Sequence, residues 1–154
     1  MTNNDIIRQI RYIFDYNDSK MIEIFDSAGL EVTRSQVSNW LKKDDNAAYV
    51  EITDNQLAYF LNGLINEKRG KKKGPPMIAE NRLNNNIIFR KIRIALNLKD
   101  DQIVKIMSLV DMRIGKAELG AFFRKPGHPK YMVCKDQFLR NFLHGIQKEY
   151  HKNN

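Results

Sequence analysis

Displaced by 82 residues against itself, the chain aligns residues 4–68 with residues 86–150 without a gap. No other feature constrains the fold as much, because whatever unit the first stretch builds must be buildable twice in tandem. Identities fall at Asn4/Asn86, Arg8/Arg90, Ile24/Ile106, Tyr49/Tyr131, Asp54/Asp136, Phe60/Phe142 and Gly63/Gly145, among others. The remaining apolar positions mostly exchange for side chains of similar bulk, as in Met21/Ile103, Val37/Leu119 and Trp40/Phe122. A unit of about 65 residues buries little core by itself, so the two copies are expected to pack on each other.

Each copy reads as four helices. The most sharply punctuated is TRSQVSNWLKK, residues 33–43, with its counterpart GKAELGAFFRK at 115–125. Thr33 and Gln36 have the spacing of a capping box, Val32 and Val37 that of a hydrophobic staple, and Val37, Trp40 and Leu41 form one narrow apolar stripe. The first helix is expected over about 4–15, with Ile6, Ile10, Ile13 and Phe14 inward, repeated as Ile88, Ile92, Ala95 and Leu96. The second is expected to begin at a capping Asp18 or Asp100. The fourth opens on a Thr53 to Gln56 capping box and carries Leu57, Phe60, Leu61 and Leu64 at i, i+3, i+4, i+7.

Between helices three and four, the turn-rich DDNAAY and PGHPKY lead into YVEI and YMVC, short enough to be a strand pairing across the copies and no more. No longer alternating pattern occurs, so the expected class is all-α: two tandem copies of a four-helix unit, each with a helix-turn-helix-like centre, packed together. The boundaries are residues 1–68 for the first copy, 69–85 for a basic linker containing Gly70, Gly74, Pro75 and Pro76, and 86–154 for the second.

Charge divides the copies more than it describes the whole. The formal net charge is +8, yet residues 1–68 hold seven Lys/Arg against eleven Asp/Glu, residues 69–85 five against one, and residues 86–150 thirteen against six. The basic character therefore belongs to the linker and the second copy, where a nucleic-acid partner would be sought. One cysteine excludes an intramolecular disulfide framework, no apolar signal core follows Met1, and no run approaches the ~18 apolar residues of a membrane span. The expectation is a cytoplasmic protein with no membrane partner.

The segment MIEIFDSAGLEVTRSQVSNWLKK has the organisation of a helix-turn-helix, and Arg34 and Asn39 on the outer face of its second helix are residue types that read base edges and phosphates. Two packed helices of a bundle would show the same pattern, and the second copy places Asp111 where the first has Gly29. Lys71, Lys72 and Lys73, beside Arg69 in the linker, and Arg124, Lys125 and Lys130 in the second copy are the candidates for phosphate contact. His128, in RKPGHPKY, is a candidate for an anion site or simply a loop residue. Arg8/Arg11 and Arg90/Arg93 recur at equivalent places and suit an anion or carboxylates of the neighbouring copy.

Catalytic chemistry finds little to stand on. His128, His144, His151 and Cys134 share no metal-ligand spacing, the glycines form no phosphate-cradling pattern, and Cys134 matches Ile52, a place for a small buried hydrophobe. No catalytic residue, cofactor or metal is expected, and the chain is read as non-enzymatic.

At SNWLKK, FLNGLINEKRG, FFRKPGH and CKDQFLRNFLHG the sequence resembles the YehS-like bacterial family, whose small members consist of two copies of a domain of unknown function. The resemblance spans essentially the whole chain. It implies the two-copy architecture and carries over no activity, cofactor or catalytic residue. The leading expectation is thus DNA or RNA binding through the linker and second copy. Its rival is an interaction module, self-associating or meeting another protein, in which the acidic copy faces a basic one.

Overall fold

The computed structural model describes residues 1–151; residues 152–154, placed above in the second copy, lie outside them. The first copy folds into α1 (Asn3–Ile13), α2 (Asp18–Ser27), α3 (Arg34–Leu41) and α4 (Asp54–Arg69), and the second into α5 (Asn85–Leu96), α6 (Asp100–Ser108), α7 (Lys116–Phe122) and α8 (Asp136–Tyr150). Among the described residues there is no strand, and no helix is long and apolar enough to cross a membrane.

Local chemistry sets the helix starts. At Thr33 and Thr53 each side-chain oxygen accepts from the backbone N–H of Gln36 or Gln56 at 3.1 Å, and each glutamine accepts in return from the cap N–H, at 2.8 and 3.0 Å. A third capping box joins Thr2 to Asp5. The second helix starts one residue earlier than its expected cap. Asn17 accepts from the N–H of Lys20, so Asp18 lies inside the first turn, where a carboxylate faces the positive end of the helix dipole.

Four helices form the central layer. Asn3 at the start of α1 meets Asp54 at the start of α4, while Lys68 near the end of α4 lies over the Phe14 ring just past α1. Asp54 also accepts from the N–H of Leu83, just ahead of α5, and Arg69 at the end of α4 donates to the carbonyl of Ile94 near the end of α5. Met1 reaches Asp136, and His151 reaches the carbonyl of Ile13. Thus α1, α4, α5 and α8 all run the same way, with α4 against α5 the most extensive contact and α8 against α1 its counterpart. The arrangement is a near-twofold pair within one chain, with α2–α3 and α6–α7 on its flanks.

The repeated identities acquire physical reasons here. A Cβ on Gly63 would lie 2.0 Å from the carbonyl oxygen of Ile24, and one on Gly145 would lie 2.7 Å from that of Ile106, so the last helix of each copy crosses the second backbone to backbone. Asn4, 2% exposed, donates to the carbonyls of Trp40 and Val50 and accepts from the N–H of Ile52. Asn86 does the same with Phe122, Met132 and Cys134. These two amides satisfy the backbone that the strand expectation left to inter-copy pairing, and residues 49–52 and 131–134 are irregular segments latched to their own copies.

One arginine of each pair is engaged within its own copy. Arg8 binds Asp5 at 2.6 Å and the carbonyl of Lys42 at 2.9 Å, whereas Arg93 binds Asp100 and lies over the ring of Phe123. The expected carboxylates of the neighbouring copy are not their partners.

Candidate anion-binding cleft

Parallel α4 and α5 oblige the chain between them to travel back the length of a helix. Gly70 ends α4 at φ +82°, Gly74 takes φ +104° in a bend, and Pro75 and Pro76 keep the segment from resuming a helix. The far end is tied down where the side chain of Asn55 donates to the carbonyl of Glu80 at 3.0 Å. The returning strap leaves a cleft of about 460 Å³ between itself, α4 and α5.

Three polar groups from three elements meet in its wall. Lys91 of α5, 8% exposed, places Nζ 2.5 Å from Oδ1 of Asn62 on α4 and 3.0 Å from Oε1 of Glu80 on the strap. An ammonium only donates, so it is the amide oxygen of Asn62 that faces Lys91. The amide nitrogen of Asn62, itself 1% exposed, is left without a partner, whereas Glu80 Oε1 is ion-paired with Lys91. An unpartnered buried amide of this kind costs about 1–3 kcal/mol.

Around the opening stand Arg69, Lys71, Lys72, Lys73 and Arg90, while Glu80 is the sole carboxylate among the lining residues. Arg69 is held by the carbonyl of Ile94 and by Asn97, both neutral. Arg90 owes its freedom to a single exchange: its counterpart Arg8 is drawn to the end of α3 by Asp5, and the position of Asp5 is Ile87 in the second copy. Ile65, Ile94 and Met77 supply apolar wall. In the equivalent groove between α8 and α1 the positions of Asn62 and Lys91 are His144, which is exposed, and Gln9. A second depression, of about 270 Å³, has Asp5 and Asp44 beside Arg8 and Lys43, which balances its charge.

The candidate residues divide into three groups. Lys71, Lys72 and Lys73 line the cleft. Arg124, Lys125 and Lys130 are exposed beside the start of α5, where Asn86 holds the carbonyl of Phe122, whereas Arg69 and the neighbouring linker lysines gather toward its other end. Arg34, on α3, is engaged by Asp18 at 3.8 Å and Ser19 at 3.0 Å, and Asn39 sits on the same helix, away from both clusters. His128 accepts from the N–H of Lys130 through Nδ1, as Asn46 accepts from that of Ala48 in the first copy, so it shapes its loop. Burial pushes the Cys134 thiol up to about 12, with Asp136 adding to the effect, which leaves it a packing group.

Asn62, Glu80 and Lys91 escaped notice in the sequence. The available signal was Lys91 itself, a cation at i+3 from Ile88 and i−4 from Ala95 on the apolar stripe of its helix.

A sequence profile described as a protein of unknown function, DUF1456, matches residues 3–70 and again residues 85–151. The chain belongs to the DUF1456 family. It is also similar to the uncharacterized protein YehS of Escherichia coli (strain K12), at 41% identity over 152 residues that cover 98% of this chain and 97% of that one. No solved structure matches it. The cleft draws on both DUF1456 units at once, since Asn62 comes from the first match and Lys91 from the second, while Lys71, Lys72, Lys73 and Glu80 lie in the segment between them.

Proposed function

We propose that this protein binds nucleic acid, DNA or RNA, through the basic cleft, without catalytic activity. The observation that carries the reading is five cationic side chains, Arg69, Lys71, Lys72, Lys73 and Arg90, around one opening whose single carboxylate is already turned to Lys91. Such an opening attracts a polyanion and releases its counterions. Arg124, Lys125 and Lys130 stand roughly 18 Å away, the length of the twelve-residue α5, which one strand can span. Arg34 and Asn39 face elsewhere and are assigned at most a weak phosphate contact.

The test is fluorescence anisotropy of labelled single-stranded and duplex DNA and RNA at low and moderate salt. Binding is expected at low salt, and replacing Lys71, Lys72 and Lys73 together by Ala should flatten the slope of log K against log salt by about 2 for a single strand. Absence of binding at low salt overturns the reading. The alternative, a protein partner or self-association, draws on the 90% exposed Ile78 of the strap. Sedimentation that reports a monomer at all concentrations removes its self-associating form.

A further inference from the structure

We infer that the second copy carries a phosphate seat of its own, at Arg90, Arg124, Lys125, Lys130 and Tyr131, where an external phosphate takes the place that Asp5 and Asp44 hold in the first copy. The seat deepens the nucleic-acid reading above and rests on it only for the source of the phosphate. The first copy shows what fills such a place. Its depression of about 270 Å³ is lined by Thr2, Asp5, Arg8, Lys43, Asp44 and Tyr49, and its cations are answered from within the chain. Arg8 binds Asp5 at 2.6 Å and the carbonyl of Lys42 at 2.9 Å. The Tyr49 hydroxyl is held above its usual range by desolvation first and then by the carboxylates of Glu51, Asp44 and Asp5, against the pull of Arg8, so three carboxylates gather at this face.

The second copy rebuilds this backbone and changes its charge. The N–H of His128 donates to the carbonyl of Lys125 at 3.0 Å and that of Tyr131 to His128 at 2.9 Å, as Asn46 donates to Lys43 and Tyr49 to Asn46, each at 3.0 Å. Asn86 latches the loop as Asn4 does. On this shared frame Arg8, Lys42 and Lys43 become Arg90, Arg124 and Lys125, while Asp5, Asp44, Asp45 and Glu51 become Ile87, Pro126, Gly127 and Val133, and Ala48 becomes Lys130. Three cations against four carboxylates turn into four cations against none. All four are exposed, and none of their side chains has an ion-pair partner among the described residues. What the frame lacks is an anion from solution. Two guanidinium forks, two ammonium groups and the Tyr131 hydroxyl present more donors than the two oxygens of one carboxylate engage, whereas a phosphate offers more oxygens and suits a fork in bidentate fashion. Arg90 also lines the strapped cleft, so a strand whose phosphates lie on the linker lysines meets this seat next. A free phosphate and the backbone of a strand offer the same group.

The test returns the first copy's carboxylates to the second. Ile87→Asp with Pro126→Asp places them on a frame that already accommodates them in the first copy. Ser35→Asp with Ala47→Asp, at exposed positions of the first copy, changes the net charge equally and leaves the seat untouched. Full chains of the parent and both variants are compared by anisotropy of a labelled single strand at low salt and by phosphorus NMR titration of inorganic phosphate. If the first pair alters the circular dichroism spectrum, Arg124→Gln with Lys125→Gln replaces it at the same change of charge. The seat variant should weaken strand binding about tenfold and flatten the slope of log K against log salt by about 1, with the control within about twofold of the parent. Equal effects of seat and control variants on the strand overturn the seat and leave the nucleic-acid reading standing. Phosphate bound by the parent and lost in the seat variant, with no affinity for any strand, keeps the seat, names the free anion as its source and overturns that reading instead. A parent that binds neither probe ends both.

Discussion

Asn4 and Asn86 show how far one side chain can decide a local fold. Each satisfies two carbonyls and one N–H of a segment that has no helix or strand to do so. Asn86→Ala would strand all three and is expected to lower stability by roughly 2–4 kcal/mol, read from the urea midpoint; a loss under about 0.5 kcal/mol would contradict the latch. Their identity in the two copies was visible from the alignment, but the purpose was not, because their partners lie 36 to 48 residues further on. Packing shows the same limit. Phe25 becomes Met107 while Ile7 becomes Phe89, so the large ring moves from the second helix of one copy to the first helix of the other and the core stays filled.

Acid should act at this scale too. The Asp136 carboxyl is held low by the hydrogen bond from Asn85 and by the N-terminal ammonium, and that of Asp101 by Lys116. At Asp5 burial pushes upward, but the hydrogen bonds from Thr2 and the charge of Arg8 outweigh it. Groups held below their unfolded values give stability that is present above about pH 4 and lost as pH falls through the native values. Thermal midpoints are therefore expected to stay level between about pH 5 and 7 and to fall below about pH 4, and Asp136→Asn should make that fall shallower.

At the scale of the helix, the caps and apolar stripes were legible because their determinants are neighbours in sequence. Thr33 with Gln36 and Thr53 with Gln56 start their helices as expected, and Leu57, Phe60, Leu61 and Leu64 are all buried. Close helix crossings are of the opposite kind. Gly63 reads as a weak point in a helix until Ile24 is placed against it, and then the absence of a side chain becomes the requirement. Gly63→Ala is expected to cost more than about 2 kcal/mol despite the better helix propensity of alanine. Gly120→Ala, on α7 with open space around it, should gain about 0.5–1 kcal/mol. Opposite signs for the two in chemical denaturation would support the crossing; equal signs would refute it. The cleft was half legible for the same reason. Three adjacent lysines announce themselves, whereas Asn62, Glu80 and Lys91 form a site only once α4 and α5 lie side by side.

For the whole molecule, the interface between copies is as much a part of the core as the interior of either. The buried residues form one cluster that runs through both, from Ile6 to Ile146. Unfolding should therefore be a single transition. Trp40, the only tryptophan, reports the first copy, so its fluorescence and the far-ultraviolet circular dichroism of all the helices should share one urea midpoint. Two separated midpoints would mean copies that fold alone.

A frame with near-twofold symmetry ordinarily carries its openings in pairs, and a protein assembled from two separate units of this kind would have two equal grooves. Here the covalent join passes over one of them, from Arg69 to Asn85, and cannot pass over the other. The strapped groove thereby occurs once per chain, with the strap always between the acidic and basic halves. Duplication supplied the scaffold, and the seam between the duplicates made its two sides inequivalent.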